Sequence, residues 1–181
     1  MVLPGHLAAG YLVTKLFISA FEPTLTGSET ITLYIVGILA GILPDIDIAY
    51  HIIQYLNKSH RIKNSHREYI THTPIFWLII SVVLTAVGYL INLDLIKYLG
   101  CVILLGTWSH LVLDSLESGV MWLWPVSHYR FALKHSLNNQ NPKNAGSIKY
   151  YLDLLGHLYD NRQTFYAEIL ITLIALFVFF Y

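Results

Sequence analysis

The chain has 181 residues, of which 55% are hydrophobic and 12% are charged. So apolar a composition excludes an ordinary soluble domain of this size and indicates an integral membrane protein. Basic and acidic residues cancel to a formal net charge of zero and the basic ones form no patch with interleaved aromatics, so nucleic-acid binding is not expected. The single cysteine, Cys101, cannot form an intramolecular disulfide.

Five apolar segments follow one another along the chain, and a bilayer core requires about 20 such residues in a helix. The segments are residues 3–21, 31–43, 74–92, 95–113 and 165–181. The first carries His6 and Lys15 and is therefore the weakest of the five; it fits a tilted or interfacial helix as well as a span. We predict one all-α domain over residues 1–181, a polytopic membrane bundle of about five transmembrane helices.

The positions of Lys and Arg predict the orientation, because cytoplasmic loops retain these residues during insertion. Nine of the eleven basic residues lie within residues 57–67 and 117–164, and residues 22–30 contain none. This distribution predicts an inner-membrane protein with its N-terminus in the cytoplasm and its C-terminus outside. Residues 117–164 are then a long cytoplasmic segment, with an amphipathic or re-entrant piece near MWLWPV.

Ionisable side chains at membrane depth are unfavourable unless they are paired, hydrated or bound to metal. The topology rests on Lys and Arg alone. It nevertheless places seven histidines and aspartates at one level near the cytoplasmic face. They are His6, Asp45, Asp47, His66, His72, His110 and Asp114. We therefore predict that these residues converge as the ligands of a metal site.

Spacing supports coordination at two of these places. His110 and Asp114 are four residues apart, which puts them on one face of a helix. In LPDID, Pro44 breaks the second span. If the chain stays extended there, Asp45 and Asp47 point the same way; if a helix restarts, they diverge by about 200° and only one can reach the metal directly.

The segment before the third span adds two histidines and an arginine. His72 precedes Thr73 and Pro74, a suitable cap and first helical residue, so it should lie beside a helix N-terminus that attracts an anion such as phosphate. His66 is too far from His72 for a shared helix face, and a loop must bring them together. Arg67 is a topology signal or a phosphate clamp, and we favour the clamp because Arg binds phosphate through two hydrogen bonds.

Imidazole and carboxylate without thiolate suit a divalent metal, zinc above manganese or iron, in one to three ions. Such a site activates water in hydrolases. Two other classes remain open: a cation transporter or channel with a broken helix, and a non-enzymatic scaffold stabilised by metal. His110 and Asp114 could also be a hydrogen-bonded pair that locks two helices.

Five short motifs can now be put together: GHL at 5–7, LPDID at 43–47, HREYITHT at 66–73, SHLVLD at 109–114 and SGVMWLWP at 118–125. In order and content they resemble the YdjM-like family of membrane-bound metal-dependent hydrolases, over roughly residues 1–130. The resemblance implies that the seven residues named above form the metal site. More remotely, the pattern is similar to the zinc-dependent phospholipase C and single-strand nuclease fold, which implies phosphoester chemistry.

The leading hypothesis is a metal-dependent hydrolase, a phosphoesterase on a membrane lipid or lipid-linked substrate at the cytoplasmic face. Asp45, His66, Arg67 and Asp114 are the predicted catalytic residues, with Arg67 holding the substrate.

Overall fold

The computed structural model describes residues 3–57, 66–116, 118–133, 152, 156 and 162–181. This part of the chain is all-α, as predicted, with six α-helices and three short 3-10 helices. The α-helices are α1 (Leu3–Phe21), α2 (Gly27–Ala40), α3 (Ile46–Leu56), α4 (Pro74–Leu90), α5 (Asp94–Asp114) and α6 (Arg162–Phe180). The 3-10 helices are η1 (Leu43–Asp45), η2 (His66–Glu68) and η3 (Ile70–His72).

The five apolar segments form α1, α2, α4, α5 and α6 with bounds close to those predicted. The largest difference is at the start of α2, which begins at Gly27 rather than Ile31. Thr26 caps this helix: its hydroxyl accepts from the amide of Glu29, and the Glu29 carboxylate accepts from the amide of Thr26. This reciprocal capping box satisfies two amides that the helix itself leaves free, so the helix extends into a polar stretch.

By length and hydropathy, α5 is the one helix among the described residues that could cross a bilayer by itself. The pair of α2 with the segment Leu43–Leu56 qualifies together as a second candidate, bent by 48°. Pro74–Leu90 and Thr164–Phe180 are apolar but shorter. The structure thus supports a helical membrane protein with one or two membrane-length helices, and the number of five spans stays a prediction.

Helix α5 is the centre of the bundle and packs against α4, α1 and α2, while α6 packs against α1. Between α1, α2 and α5 the core is apolar, with Phe17, Leu33 and Val102 buried together. Near one end the backbones approach closely: a Cβ on Gly41 would lie 2.3 Å from the carbonyl oxygen of His6. Only glycine fits at this contact.

The same end of the bundle gathers parts of every long helix. The beginning of α1 lies against the end of α5, and the Trp108 indole of α5 donates to the Pro74 carbonyl at the start of α4, at 3.3 Å. The amide of Gly5 donates to Glu168 near the start of α6, at 3.2 Å. We call this end of the bundle the site end.

The chain is broken between α2 and α3 as Pro44 predicts. Gly41 caps α2, residues 43–45 form η1, and a new α-helix begins at Ile46. Of the two arrangements that the sequence left open, the restarted helix is the one observed, so Asp45 and Asp47 point in different directions.

After α5 the chain turns back on itself. Val120 and Phe131 form an antiparallel bridge, and Gly119, at φ +82°, adopts a backbone conformation that favours glycine. The predicted amphipathic or re-entrant piece near MWLWPV consists of turns rather than helix. Most of the predicted cytoplasmic segment, namely residues 117, 134–151, 153–155 and 157–161, lies outside the described residues.

Candidate metal centre

His110, near the end of α5, is fully buried and has a defined tautomer. Its Nδ1 lies 2.8 Å from the carbonyl oxygen of Gly41. A carbonyl only accepts, so Nδ1 carries the proton and donates it, and in the neutral ring Nε2 keeps its lone pair. Gly41 offers its carbonyl because α2 ends there, and the carbonyls of a last helical turn have no partner within the helix.

The lone pair of His110 faces carboxylates. Nε2 lies 3.6 Å from Oδ1 of Asp45 and 4.0 Å from Oδ2 of Asp114. Within the described part of the chain, this nitrogen has no hydrogen-bond partner. Leaving a buried polar atom unsatisfied costs about 1–3 kcal/mol, so its arrangement suggests a ligand.

His6, at the start of α1, completes one side of this cluster. Its ring stacks on His110 with centroids 3.9 Å apart, and its Nε2 lies 3.6 Å from Oδ1 of Asp114. The other ring nitrogen, Nδ1, is buried and has no hydrogen-bond partner in the ranges described. Two imidazoles from different helices therefore present nitrogen atoms to one carboxylate region.

His72, in η3, bridges two aspartates. Its Nδ1 is 2.9 Å from Oδ2 of Asp47 and its Nε2 is 3.2 Å from Oδ2 of Asp114, while the hydroxyl of Thr71 donates to Asp47 at 2.9 Å. Burial by itself lowers the pKa of His72, but the hydrogen bonds to Asp114 and Asp47 outweigh it and raise the pKa to about 9. Without a metal ion, this ring is an imidazolium held between two carboxylates.

Arg67 is also directed at the cluster. Its side chain is buried, and its Nε donates to Oδ2 of Asp114 at 2.6 Å. Asp114 thus lies beside two cationic groups, the guanidinium of Arg67 and the imidazolium of His72, which compensate its charge in the interior.

Among the described residues, two groups of three side chains have ligand atoms close enough to hold a metal ion, all within 4.8 Å of one another. One is His6, His110 and Asp114, and the other is Asp45, His72 and His110. The groups share His110, which has one nitrogen left after its bond to Gly41. They therefore form either one merged site or two sites of which only one contains His110.

Five of the seven predicted ligands are brought together in this way: His6, Asp45, His72, His110 and Asp114. Asp47 instead lies behind His72, on the side of Nδ1, so its role as a direct ligand stays a prediction. The side chain of His66 lies outside the described residues.

Two polar residues near the centre were not singled out by sequence. Glu168 of α6 is buried and accepts from the Gly5 amide, next to His6 in the chain. It is an acidic residue within an apolar segment, so the criterion that selected the other residues could have found it. His51 of α3 is fully buried with its ring against Tyr69.

The fold and the centre define the class: an all-α membrane protein with a buried histidine–aspartate cluster suited to a metal ion. A model of the YdjM inner membrane protein family matches residues 1–181, and the chain belongs to that family. This confirms the resemblance carried by the motifs and extends it over the whole chain. No curated protein and no solved structure matches the chain.

Proposed function

We propose that this family member is a metal-dependent hydrolase, a phosphoesterase that acts on a lipid or lipid-linked substrate at the cytoplasmic face of the inner membrane. The observation that carries the proposal is the buried Nε2 of His110, which has a fixed lone pair, faces two carboxylates and lacks a hydrogen-bond donor among the described residues.

The donor set fits a divalent metal. Neutral imidazole nitrogens and carboxylate oxygens suit zinc, manganese or iron, with zinc preferred. The residues that would hold the metal are His6, Asp45, His72, His110 and Asp114. When bound, such an ion supplies Lewis acidity and activates water for attack on an ester.

The remaining groups orient these donors. Asp47 accepts from Nδ1 of His72 and the Gly41 carbonyl accepts from Nδ1 of His110, so that each ring turns Nε2 to the cluster. Arg67 adds positive charge beside Asp114. We assign it the further role of binding the phosphate of the substrate, and we propose Asp45, His66 and Asp114 as the other catalytic residues.

The substrate class follows from location. The centre lies at one end of a bundle that belongs to an inner membrane family, where lipid head groups are within reach. His72 lies directly before α4, and free amides at a helix N-terminus favour an anionic group. A phosphate ester in a lipid head group has the charge and the location that these features favour.

Metal analysis of the detergent-purified protein tests the proposal. We expect bound metal in the wild type and its loss in a His110→Ala, Asp114→Ala variant, because the variant lacks both α5 donors. The matched control is Asp94→Ala, Lys97→Ala, which removes an exposed pair from the other end of the same helix. The three proteins are then assayed on a panel of phospholipids and lipid-linked phosphates.

The outcomes separate the three classes of function. Metal and hydrolysis that disappear together in the site variant, but not in the control, support the hydrolase. Metal without hydrolysis of any panel member supports the scaffold, and metal-dependent cation flux into vesicles supports the transporter. Full metal content and activity in a folded site variant would overturn the proposal.

A further inference from the structure

Helix α3 has a polar face that is directed into the protein. Asp47 is buried against His72, and His51, one turn later, is buried with its ring against Tyr69. One turn further on, Gln54 accepts a hydrogen bond from the Tyr69 hydroxyl at 2.5 Å. These residues are three and four positions apart and therefore share one side of the helix.

The opposite face of α3 is apolar and exposed. Ile46, Tyr50, Ile53 and Leu56 are between 52% and 69% exposed, again at intervals of three or four residues. A helix at the surface of a soluble protein has the reverse arrangement, with its apolar side against the core. An exposed apolar row of this length requires a partner that is itself apolar.

The location of α3 indicates which partner this is. The helix begins at the site end, is bent by 48° away from α2, and packs chiefly on the three short helices. It follows α2, whose Ile31, Ile35 and Leu39 form an exposed apolar row of their own. In an inner membrane protein such a row faces lipid, so the row on α3 follows a lipid-facing surface along the chain.

The sequence changes from predominantly apolar to basic directly after α3. Lys58, Arg61 and Lys63 follow the last residue of the helix within seven positions. Basic residues next to an amphipathic helix are typical of the level of anionic lipid head groups.

We propose that α3 is an interfacial helix: its apolar row of Ile46, Tyr50, Ile53 and Leu56 is immersed in the lipid leaflet at the site end, and its polar row packs on His72 and Tyr69 beside the metal centre. Amphipathic helices of this kind bury their apolar face about 5–10 Å into the boundary between head groups and acyl chains. The helix thereby holds the metal centre at the depth of the lipid head groups. This inference concerns lipid contact and does not depend on hydrolysis.

Spin labelling of the full chain tests the proposal. Cys101 is replaced by Ala, a nitroxide is attached at Ile53→Cys, and the protein is reconstituted in vesicles of phosphatidylethanolamine and phosphatidylglycerol. Collisions of the label with oxygen, which partitions into lipid, are compared with collisions with a water-soluble nickel chelate. The reference positions are Val83 on the exposed side of α4 and Thr24 in the connection between α1 and α2.

We expect the oxygen-to-nickel ratio at Ile53 to be several-fold above that at Thr24 and below that at Val83, which lies in the middle of α4 and therefore deeper in the bilayer. A ratio like that of Thr24 would show α3 in water and overturn the proposal. Low collision rates with both reagents would also overturn it, because they would show that protein covers the row. If Ile53→Cys fails to fold, Leu56→Cys gives the same readout at the last residue of the helix, where the side chain is most exposed.

Loss of metal or of hydrolysis in the site variant leaves this measurement unaffected, since it involves no turnover. The two proposals can therefore fail separately.

Discussion

At the scale of single residues, the centre depends on which nitrogen of each imidazole carries a proton. The Gly41 carbonyl sets this for His110, and the Asp47 carboxylate sets it for His72. The first partner is a backbone atom, which no side-chain substitution removes. The second partner, the Asp47 carboxylate, is a side chain, so its contribution can be measured by substitution.

Replacement of Asp47 by Ala should weaken metal binding by about 10–100-fold, the effect typical of a lost partner behind a ligand. The reason is that the His72 ring loses the acceptor that orients it. Asp47→Asn should have a smaller effect, because its amide oxygen can still accept from Nδ1. Affinity is measured by competition of metal-stripped protein with a chromophoric chelator.

The control for this pair is Asp94→Ala at the opposite end of α5, which should leave affinity unchanged. Equal affinity of wild type and Asp47→Ala would contradict the orienting role. A complete loss of metal in Asp47→Asn would instead support direct ligation by Asp47.

Replacement of Arg67 by Met should destabilise the metal-stripped protein by about 1–3 kcal/mol, because the buried Asp114 carboxylate loses one of its two cationic partners and keeps only His72. A metal ion would compensate the same charge, so the loss should be smaller in the metal-loaded protein. Chemical unfolding in detergent, with and without added zinc, gives both values.

The comparison variant is Lys97→Met, which breaks an exposed pair and should change stability little in either state. An Arg67→Met penalty that is the same with and without metal would argue against metal binding next to Asp114.

The sequence pointed to those residues of the cluster whose ionisable side chains are unfavourable within an apolar segment, namely His6, His110 and Asp114. It could not separate Asp45 from Asp47, because their directions depend on whether the helix restarts after Pro44, and propensity does not decide that. It missed the Gly41 carbonyl, since no pattern of side chains identifies a backbone acceptor.

At the scale of elements, the break between α2 and α3 contributes more to the geometry of the histidine–aspartate cluster than either helix does. It frees the carbonyl of Gly41 and brings α2 close to α1. The close approach of α2 to α1 requires the absence of a side chain at Gly41.

Replacement of Gly41 by Ala should therefore lower stability by about 1–3 kcal/mol, the usual cost of forcing extra volume into a packed site. Its Cβ would lie 2.3 Å from the His6 carbonyl oxygen, which is backbone and cannot rotate away. Separation of α1 from α2 should also move His6 away from His110 and reduce metal content. Thermal unfolding and metal analysis are the two measurements.

Gly27→Ala is the matched control, because a Cβ there meets nothing within 4 Å. It should be neutral or slightly stabilising, since alanine favours helix. A Gly41→Ala protein as stable and as rich in metal as Gly27→Ala would contradict the packing described for the site end.

The elements themselves were largely predictable, because long apolar runs in a membrane protein must be helical. The start of α2 was misplaced by four residues, since the prediction relied on hydropathy and the Thr26–Glu29 capping box lies in a polar stretch. The short helices η1, η2 and η3 were not predicted, as their geometry depends on packing around the centre.

At the scale of the whole molecule, the helices alternate in direction so that one end of each long helix reaches the site end. The distribution of Lys and Arg assigns this end to the cytoplasm, which remains a prediction. The clustering of His6, His110 and Asp114 at one end of the bundle is an observation, whereas the membrane side of that end rests on Lys and Arg alone.

Labelling with a membrane-impermeant maleimide should establish the orientation. In a Cys101→Ala background, Thr24→Cys should react in intact spheroplasts, because residues 22–30 contain no basic residue and are expected outside. Asn57→Cys, at the end of α3, should react only after the membrane is opened. The reverse pattern would invert the topology and place the metal centre on the outer side.

The stacking of His6 on His110 has a consequence for biosynthesis. His6 is synthesised early, and His110 only after the intervening helices. For most of its synthesis the nascent chain therefore contains one of the two stacked rings without the other. A metal ion held by both rings would therefore bind only after the fifth helix has joined the bundle.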